Sequence, residues 1–292
     1  MSSNDHAPSQ HSWDPALSTF SRPASYAKRA AIAGSYPLRG IWYFLRNREF
    51  WPIFSGRILP LSLISLLVYL ILFTFAFLPQ YAFLVIFHGW GAWVNAVVLV
   101  LGEGLVIIQG LFEGFFVDEA RVDVFDATLL KRSMGDLVAP HRILHPDAPT
   151  AVKSLGKPTS PAIYTPWSMT QMVELIVFLP VNLIPFVGTP AFIIITGTRL
   201  GKLAHYRWFQ LRGLTKSEAK KEARTLAWEY VWFGTVAMIL ELIPVFSFFF
   251  LLTTTAGAAM WVARLETDHR RRAAADLAAG QDMAPPPYSD EA

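Results

Sequence analysis

The stretch ILPLSLISLLVYLILFTFAFLPQYAFLVIFHGWGAWVNAVVLVLG, residues 58–102, contains no aspartate, glutamate, lysine or arginine. The stretch without lysine or arginine is longer still and runs from Arg57 to Arg121. A helix needs about 20 apolar residues to cross the ~30 Å hydrocarbon core of a bilayer. We therefore predict two long transmembrane helices, over residues 59–87 and 90–116, with the turn residues near Gly89 between them.

The composition of the chain also indicates a lipid environment. Of its 292 residues, 53% are hydrophobic and only 16% are charged, which argues against a water-soluble globule. Inside lipid the backbone hydrogen bonds must be satisfied within each segment, so apolar segments of this length form helices. We predict an all-α integral membrane protein, and the absence of cysteine excludes a disulfide framework.

Two later apolar blocks, residues 172–198 and 229–263, have basic residues on both sides. Basic residues beside membrane segments are retained on the cytoplasmic side, so a block with two basic flanks is expected to turn back. Proline and glycine interrupt both blocks, and we predict hairpin tips at Pro185, Gly188 and Pro244. The blocks are thus predicted to be hemi-penetrating helical hairpins, although length alone also permits single kinked crossings.

Polar segments complete the predicted organisation. Residues 1–38 and 267–292 have the composition of disordered cytosolic tails around a membrane domain at residues 39–266. Within that domain, residues 117–171 are predicted to be a cytosolic loop. The loop begins with a short amphipathic helix at 117–135, because apolar residues recur there at helical spacing, and its many prolines then predict irregular structure.

Three local patterns predict further helical features. Aromatic and arginine residues at 40–57 favour a helix at the headgroup boundary. The sequence Thr215-Lys216-Ser217-Glu218 is a capping box, so a cytosolic helix is expected to begin there. The pairs Gly110 and Gly114, and Gly197 and Gly201, have the small-xxx-small spacing that lets helices approach closely, within one chain or in a homo-oligomer.

Polar residues inside the apolar blocks are candidates for an intramembrane site. Glu103 lies between two glycines of the second predicted span, and Asn182 and Glu241 each lie close to an interrupting proline. An ionised side chain at the centre of a membrane helix costs about 3 kcal/mol on insertion scales. We expect Glu103 to be protonated, paired or facing a cavity, and contacts between helices explain these residues equally well.

The sequence offers no residues for catalysis. It contains no nucleotide-binding loop, no zinc-binding HExxH motif and no GxSxG nucleophile motif. We therefore expect neither an enzyme nor a cofactor or metal site. The net charge of +3 is modest and its basic residues lie in tails and loops, which favours contact with membrane lipids rather than nucleic acid.

The C-terminal segment carries a short recognition motif. Pro285-Pro286-Pro287-Tyr288 matches the PPxY ligand of WW domains, and its prolines favour the extended helix that such domains bind. The motif predicts recruitment of a WW-domain ubiquitin ligase, with lysines near residue 220 as acceptors. A chance match in a proline-rich tail is the alternative.

Short apolar motifs carry a resemblance to a known family. Trp51-Pro52 and Leu59-Pro60 before the first span, Leu183-Ile184-Pro185-Phe186-Val187-Gly188, and Leu242-Ile243-Pro244 resemble segments of the CysZ and etoposide-induced-protein superfamily. The proline-containing loop and Phe125-Asp126-Ala127-Thr128-Leu129 are similar to the fungal Lds and Rrt branch of lipid droplets and the outer spore wall. Covering roughly residues 40–266, the resemblance implies two spanning helices and two hemi-penetrating hairpins.

The resemblance and the hairpin pattern together suggest three functions. The first is a non-enzymatic multi-pass protein of the endoplasmic reticulum and lipid droplets, acting in lipid organisation or spore-wall formation, with both termini cytosolic. The second is a sulfate-like anion permease or channel, since bacterial members of the superfamily are sulfate permeases; they place adjacent arginines before the first span, whereas Arg57 stands alone. The third is a membrane adaptor for the WW-domain ligase.

Overall fold

The computed structural model describes residues 15–113, 117–159, 187–243 and 246–282, and these residues are almost entirely helical. Short 3-10 turns lie at Arg48–Phe50, Gly89–Gly91 and Ala139–His141. In chain order the elements are α1 (Pro15–Arg46), α2 (Trp51–Phe75), α3 (Phe77–His88), α4 (Ala92–Glu113), α5 (Val117–Lys131), α6 (Gly135–Val138), β1 (Arg142–Leu144), α7 (Ala151–Ser154), β2 (Leu155–Pro158), α8 (Gly188–Ala204), α9 (Tyr206–Leu211), α10 (Lys216–Thr225), α11 (Ala227–Glu241) and α12 (Ser247–Asp282).

Helix α12 is the central element of the fold. Its apolar half is buried against α1, α5 and α11, and it also contacts α2. Small residues allow α1 to approach closely, because a Cβ atom added at Gly40 would lie 2.8 Å from the backbone nitrogen of Gly257. Trp261 of α12 stacks on Tyr36 of α1, with ring centroids 6.1 Å apart. The core of the bundle therefore surrounds α12.

Helices α2, α3 and α4 form an apolar unit with an uncovered outer side. Leu59, Leu63, Leu70 and Phe75 of α2 are between 62% and 79% exposed. A continuous apolar surface of this kind marks contact with a membrane or a partner. The inner side is packed: α4 contacts both α2 and α3, and Leu84 of α3 is buried in a cluster with two alanines of α4.

Three helical segments among the described residues are long and apolar enough to cross a membrane: Arg48–Phe75, Phe77–Ile108 and Ser247–Ala278. The protein is accordingly membrane-associated. The second segment is two packed helices, because Gly89 has a φ of +52° and turns α3 back onto α4. Alone, α4 has 22 residues and reaches about 33 Å at 1.5 Å per residue. The third segment is mostly covered by protein rather than exposed.

Both predicted disordered tails are wrong in part. Residues 15–38 belong to α1, where Ala30, Ala33 and Tyr36 are buried, and α12 continues to Asp282. Alanine has the highest helix propensity of all residues, and the alanines near residue 30 and residues 273–275 favour helix although the tails are polar overall. Residues 1–14 and 283–292 lie outside the described part of the chain.

Three predictions for the middle of the chain need correction. The expected single helix at 59–87 begins earlier, at Trp51, and is divided at Ala76 into α2 and α3; the helix expected at 90–116 begins at Ala92. The helix predicted at 117–135 is confirmed as α5. The irregular structure predicted after it is confirmed for residues 145–150 and wrong for residues 142–144 and 151–158, because β1 and β2 pair antiparallel, with Arg142 opposite Pro158.

The later apolar blocks are helical where they are described. The second block is divided between Glu241 and Ser247, as its interruption predicted, while Pro244 itself lies outside the described residues. Residues 172–186 of the first block, including Pro185, also lie outside, and Gly188 is the first residue of α8. The capping box is confirmed: the backbone nitrogen of Thr215 donates to Glu218 Oε2 at 2.8 Å, which lowers the pKa of Glu218.

Candidate functional site

A buried carboxylate joins three segments of the polar side of the bundle. Asp126 of α5 is completely buried and accepts two hydrogen bonds from Arg207 of α9, from Nε at 3.0 Å and from Nη2 at 2.7 Å. Arg142 of β1 donates from Nη1 to the same carboxylate at 3.2 Å. This arrangement links segments that are far apart in sequence through one acidic side chain.

Arg142 also fastens the β-hairpin to α5. Its Nη2 donates to Asp123 Oδ1 at 2.5 Å and its Nε donates to the carbonyl oxygen of Gly156 at 2.5 Å. The two acids therefore balance Arg142 and Arg207 in charge. A paired and hydrogen-bonded buried charge is tolerated, whereas removing one partner of such a pair is strongly destabilising. We interpret this ionic cluster, formed by Asp123, Asp126, Arg142 and Arg207, as structural.

A buried histidine, His205, immediately precedes α9. His205 donates to or accepts from the hydroxyl of Tyr230 at 2.8 Å, and its ring centroid lies 4.4 Å from that of Trp261. Burial lowers the pKa of His205 to about 3. The imidazole is therefore neutral at physiological pH, and it belongs to the aromatic core around α12 rather than to an exposed site.

A recess lined by three arginines opens beside α12. It has a volume of about 380 Å³ and lies between α1, the end of α5 and α12, with Tyr36, Arg39, Arg132, Met260, Arg264 and Thr267 in its wall. The three arginines are exposed. No carboxylate lines the recess in the described part of the chain. We call it the arginine recess, and its lining is positively charged.

The predicted intramembrane site is only partly described. Glu103 is paired, as one of the expected alternatives required: Gln80 Nε2 donates to both of its carboxylate oxygens, at 2.8 and 2.9 Å. Glu241 is buried at the end of α11. Asn182 lies outside the described residues, so its relation to these two acids stays a prediction. The Gln80–Glu103 contact joins α3 to α4, so packing between helices accounts for this acid.

The close packing predicted for Gly197 and Gly201 is confirmed. A Cβ atom at Gly197 would lie 2.8 Å from the backbone carbon of Gly234, and one at Gly201 would lie 2.5 Å from the carbonyl oxygen of Tyr230. These glycines let α8 and α11 touch through their backbones. The close packing predicted at Gly110 and Gly114 stays a prediction, because the surroundings of Gly110 are not described and Gly114 lies outside the described residues. Pro285, Pro286 and Tyr288 of the WW-ligand motif also lie outside the described residues.

Sequence reasoning missed both the ionic cluster and the arginine recess. A signal for the first was present, because Asp126 shares one helix face with the apolar Val122 and Leu129, and an acid on a buried face needs a cationic partner. Nothing local identified Arg207 as that partner within a generally basic segment. The recess combines side chains from three distant segments and has no sequence motif.

Comparison with family models, curated proteins and solved structures finds no match to the chain. Its function is therefore inferred from its own residues and geometry.

Proposed function

We propose that this chain is a non-enzymatic multi-pass membrane protein of the endoplasmic reticulum and lipid droplets that organises lipid at its cytosolic face, with a role in lipid storage or spore-wall formation. The observation that carries the proposal is the uncovered apolar side of α2. In the most apolar 18-residue window of the segment Arg48–Phe75, only 17% is buried within the protein. Such a surface needs lipid around it.

The levels of the later helices support a half-depth hairpin topology. Ser65 lies near the middle of α2, and its hydroxyl is 3.5 Å from that of Ser247, the first residue of α12. Phe192 of α8 and Leu242, just after α11, share an apolar cluster with Leu105 near the middle of α4. The described inner ends of α8, α11 and α12 thus lie at the level of the middle of α2 and α4, which supports blocks that turn back there.

This topology fits a protein that moves between a bilayer and a droplet monolayer. A droplet has a single phospholipid layer over oil, so a resident must return its polar ends to the cytosol. The ionic cluster and α10 lie on the polar side of the bundle. The turn between α3 and α4 at Trp90, which we call the tip, lies away from them. That tip is apolar and aromatic, with Trp90 93% exposed; its aromatic side chains suit the far interface of a bilayer, and it has no Asp, Glu, Lys or Arg to oppose entry into oil.

Localisation tests the proposal. A fluorescent fusion of the full chain is expected to form rings around droplets in yeast cells fed with oleate. Leu63→Arg is expected to abolish both droplet and reticular labelling, because an arginine at a lipid-facing helix centre costs about 3 kcal/mol. Ile143→Arg is the matched control, since Leu63 and Ile143 are 65% and 66% exposed, yet Ile143 belongs to β1.

Two results would contradict the proposal. Uniform membrane labelling in cells full of droplets removes the droplet assignment. An unchanged distribution of the Leu63→Arg variant shows that the uncovered side of α2 faces something other than lipid.

A further inference from the structure

The charge balance of the arginine recess is unusual for this bundle. A larger recess of about 510 Å³ on another side of α12 is lined by arginines together with Glu222, Glu229 and Asp268, and there Arg29 pairs with Glu229 at 2.6 Å. In the arginine recess the three guanidinium groups meet no lining carboxylate among the described residues. The lining of the larger recess is therefore nearly balanced in charge, whereas that of the arginine recess is positive; Arg264 lines both.

Within the described residues, the contacts of these arginines leave most of their hydrogen-bond donors available. The Arg39 guanidinium lies over the Tyr36 ring at 5.4 Å, and that of Arg132 lies over the Tyr43 ring at 5.6 Å. Arg132 also donates from Nη2 to the sulfur of Met260 at 3.1 Å, a soft acceptor. Arg264 is 4.0 Å from Asp268 of its own helix. Each guanidinium carries five N–H donors, far more than these contacts use.

The depth of the recess corresponds to the phosphate level of a bilayer. This step rests on the proposed topology, in which Ser247 lies near the membrane centre. Met260 follows Ser247 by thirteen residues, or about 20 Å along a helix. A bilayer is about 40–45 Å thick including its headgroups, so the headgroups lie about 20 Å from its centre, at the level of Met260. The apolar half of α12 ends at Arg264, in the wall of the recess.

We propose that the arginine recess binds a phosphate group, and that its source is the headgroup of an anionic phospholipid. Guanidinium groups donate in pairs to phosphate oxygens, and these charge-assisted hydrogen bonds are among the stronger ones in proteins. Arg39, Arg132 and Arg264 come from three segments and surround a volume of about 380 Å³, within the usual range of small-ligand pockets. Lipid bound there fastens α1 to α12 at the membrane surface.

Thermal unfolding of the full chain in a neutral detergent tests this proposal. Short-chain phosphatidic acid is the probe, short-chain phosphatidylcholine is the neutral lipid control and inorganic phosphate is the free anion. Phosphatidic acid is expected to raise the unfolding temperature of the wild type, and the other two at equal concentration are expected to leave it unchanged. A ligand that binds only the folded state stabilises it in this way.

Variants assign the binding to the recess. The double variant Arg39→Gln/Arg132→Gln is expected to lose at least tenfold in affinity for phosphatidic acid. Arg271→Gln/Arg272→Gln removes the same charge from the exposed end of α12 and is expected to retain it. Because Arg132 also contacts Met260, Arg39→Gln/Arg264→Gln provides a second test should the first variant unfold without ligand.

The outcomes separate the sources of phosphate. Equal stabilisation by inorganic phosphate assigns the recess to a free anion and overturns the lipid proposal. Equal loss of affinity in both arginine pairs overturns the site, since it reduces binding to net charge. The measurement is made in detergent, so it succeeds or fails independently of the droplet localisation of the cellular protein.

Discussion

At the scale of single residues, Asp126 has the largest expected effect on stability. Asp126→Asn leaves the buried Arg207 without its counter-charge, and breaking such a pair costs about 3–5 kcal/mol. Asp136→Asn is the matched control, because Asp136 pairs with Arg270 at 2.5 Å where both side chains are about half exposed, and such pairs contribute about 0–1 kcal/mol. Chemical denaturation in detergent measures both. Equal losses from the two variants would show that the ionic cluster contributes no more than a surface pair.

His205 is expected to make stability depend on pH. Its pKa is lowered by burial from 6.5 to about 3, so between these values the unfolded chain binds a proton that the folded chain does not. The contribution of neutral His205 to the free energy of unfolding is therefore fully present well above pH 6.5. It decreases as the pH falls below 6.5, with a slope that approaches about 1.4 kcal/mol per pH unit. Unfolding followed between pH 7 and 5 is expected to show this slope, which His205→Gln reduces. His145→Gln, at an exposed position, is expected to keep it, and a slope unchanged in His205→Gln would disprove the assignment.

At the scale of elements, the crossing of α1 and α12 requires glycine. Gly40→Ala places a methyl group 2.8 Å from the backbone nitrogen of Gly257, and overpacking of this kind costs about 1–3 kcal/mol. Gly56→Ala is the control, because nothing lies within 4 Å of a Cβ atom there; alanine is the better helix former by up to about 1 kcal/mol. The two changes are therefore expected to shift the unfolding temperature in opposite directions. A neutral Gly40→Ala would mean that the helices can separate freely.

What could be predicted from the sequence was local at this scale. Three features could be predicted because each depends on residues that are close together in the sequence. They are the apolar length of α2, the capping box at Thr215 and the spacing of Gly197 and Gly201. The burial of α1 could not be predicted in this way, because its Ala30 and Ala33 gain their contacts from α11 and α12 more than 190 residues later. Asp126 and Arg207 depend in the same way on two segments meeting.

At the scale of the whole molecule, the proposed half-depth topology predicts which side of the membrane each position faces. The chain has no cysteine, so single introduced cysteines report directly. Lys220→Cys in α10 is expected to react with an impermeant maleimide in intact microsomes, whereas Trp90→Cys is expected to react only after the membrane is opened. Both positions are exposed in the protein, so accessibility differs only through the membrane. Labelling of Lys220→Cys only after opening would show that the later blocks cross completely.

The central position of α12 also determines when the protein can finish folding. Its burial partners α1 and α5 precede it in the chain, and α12 begins only at Ser247. During synthesis the matching surfaces of α1 and α5 therefore wait uncovered until the last apolar helix has left the ribosome and reached them, because such distant contacts form late. A nascent chain halted before Ser247 lacks α12, so the apolar surfaces of α1 and α5 stay exposed to chaperones and proteases.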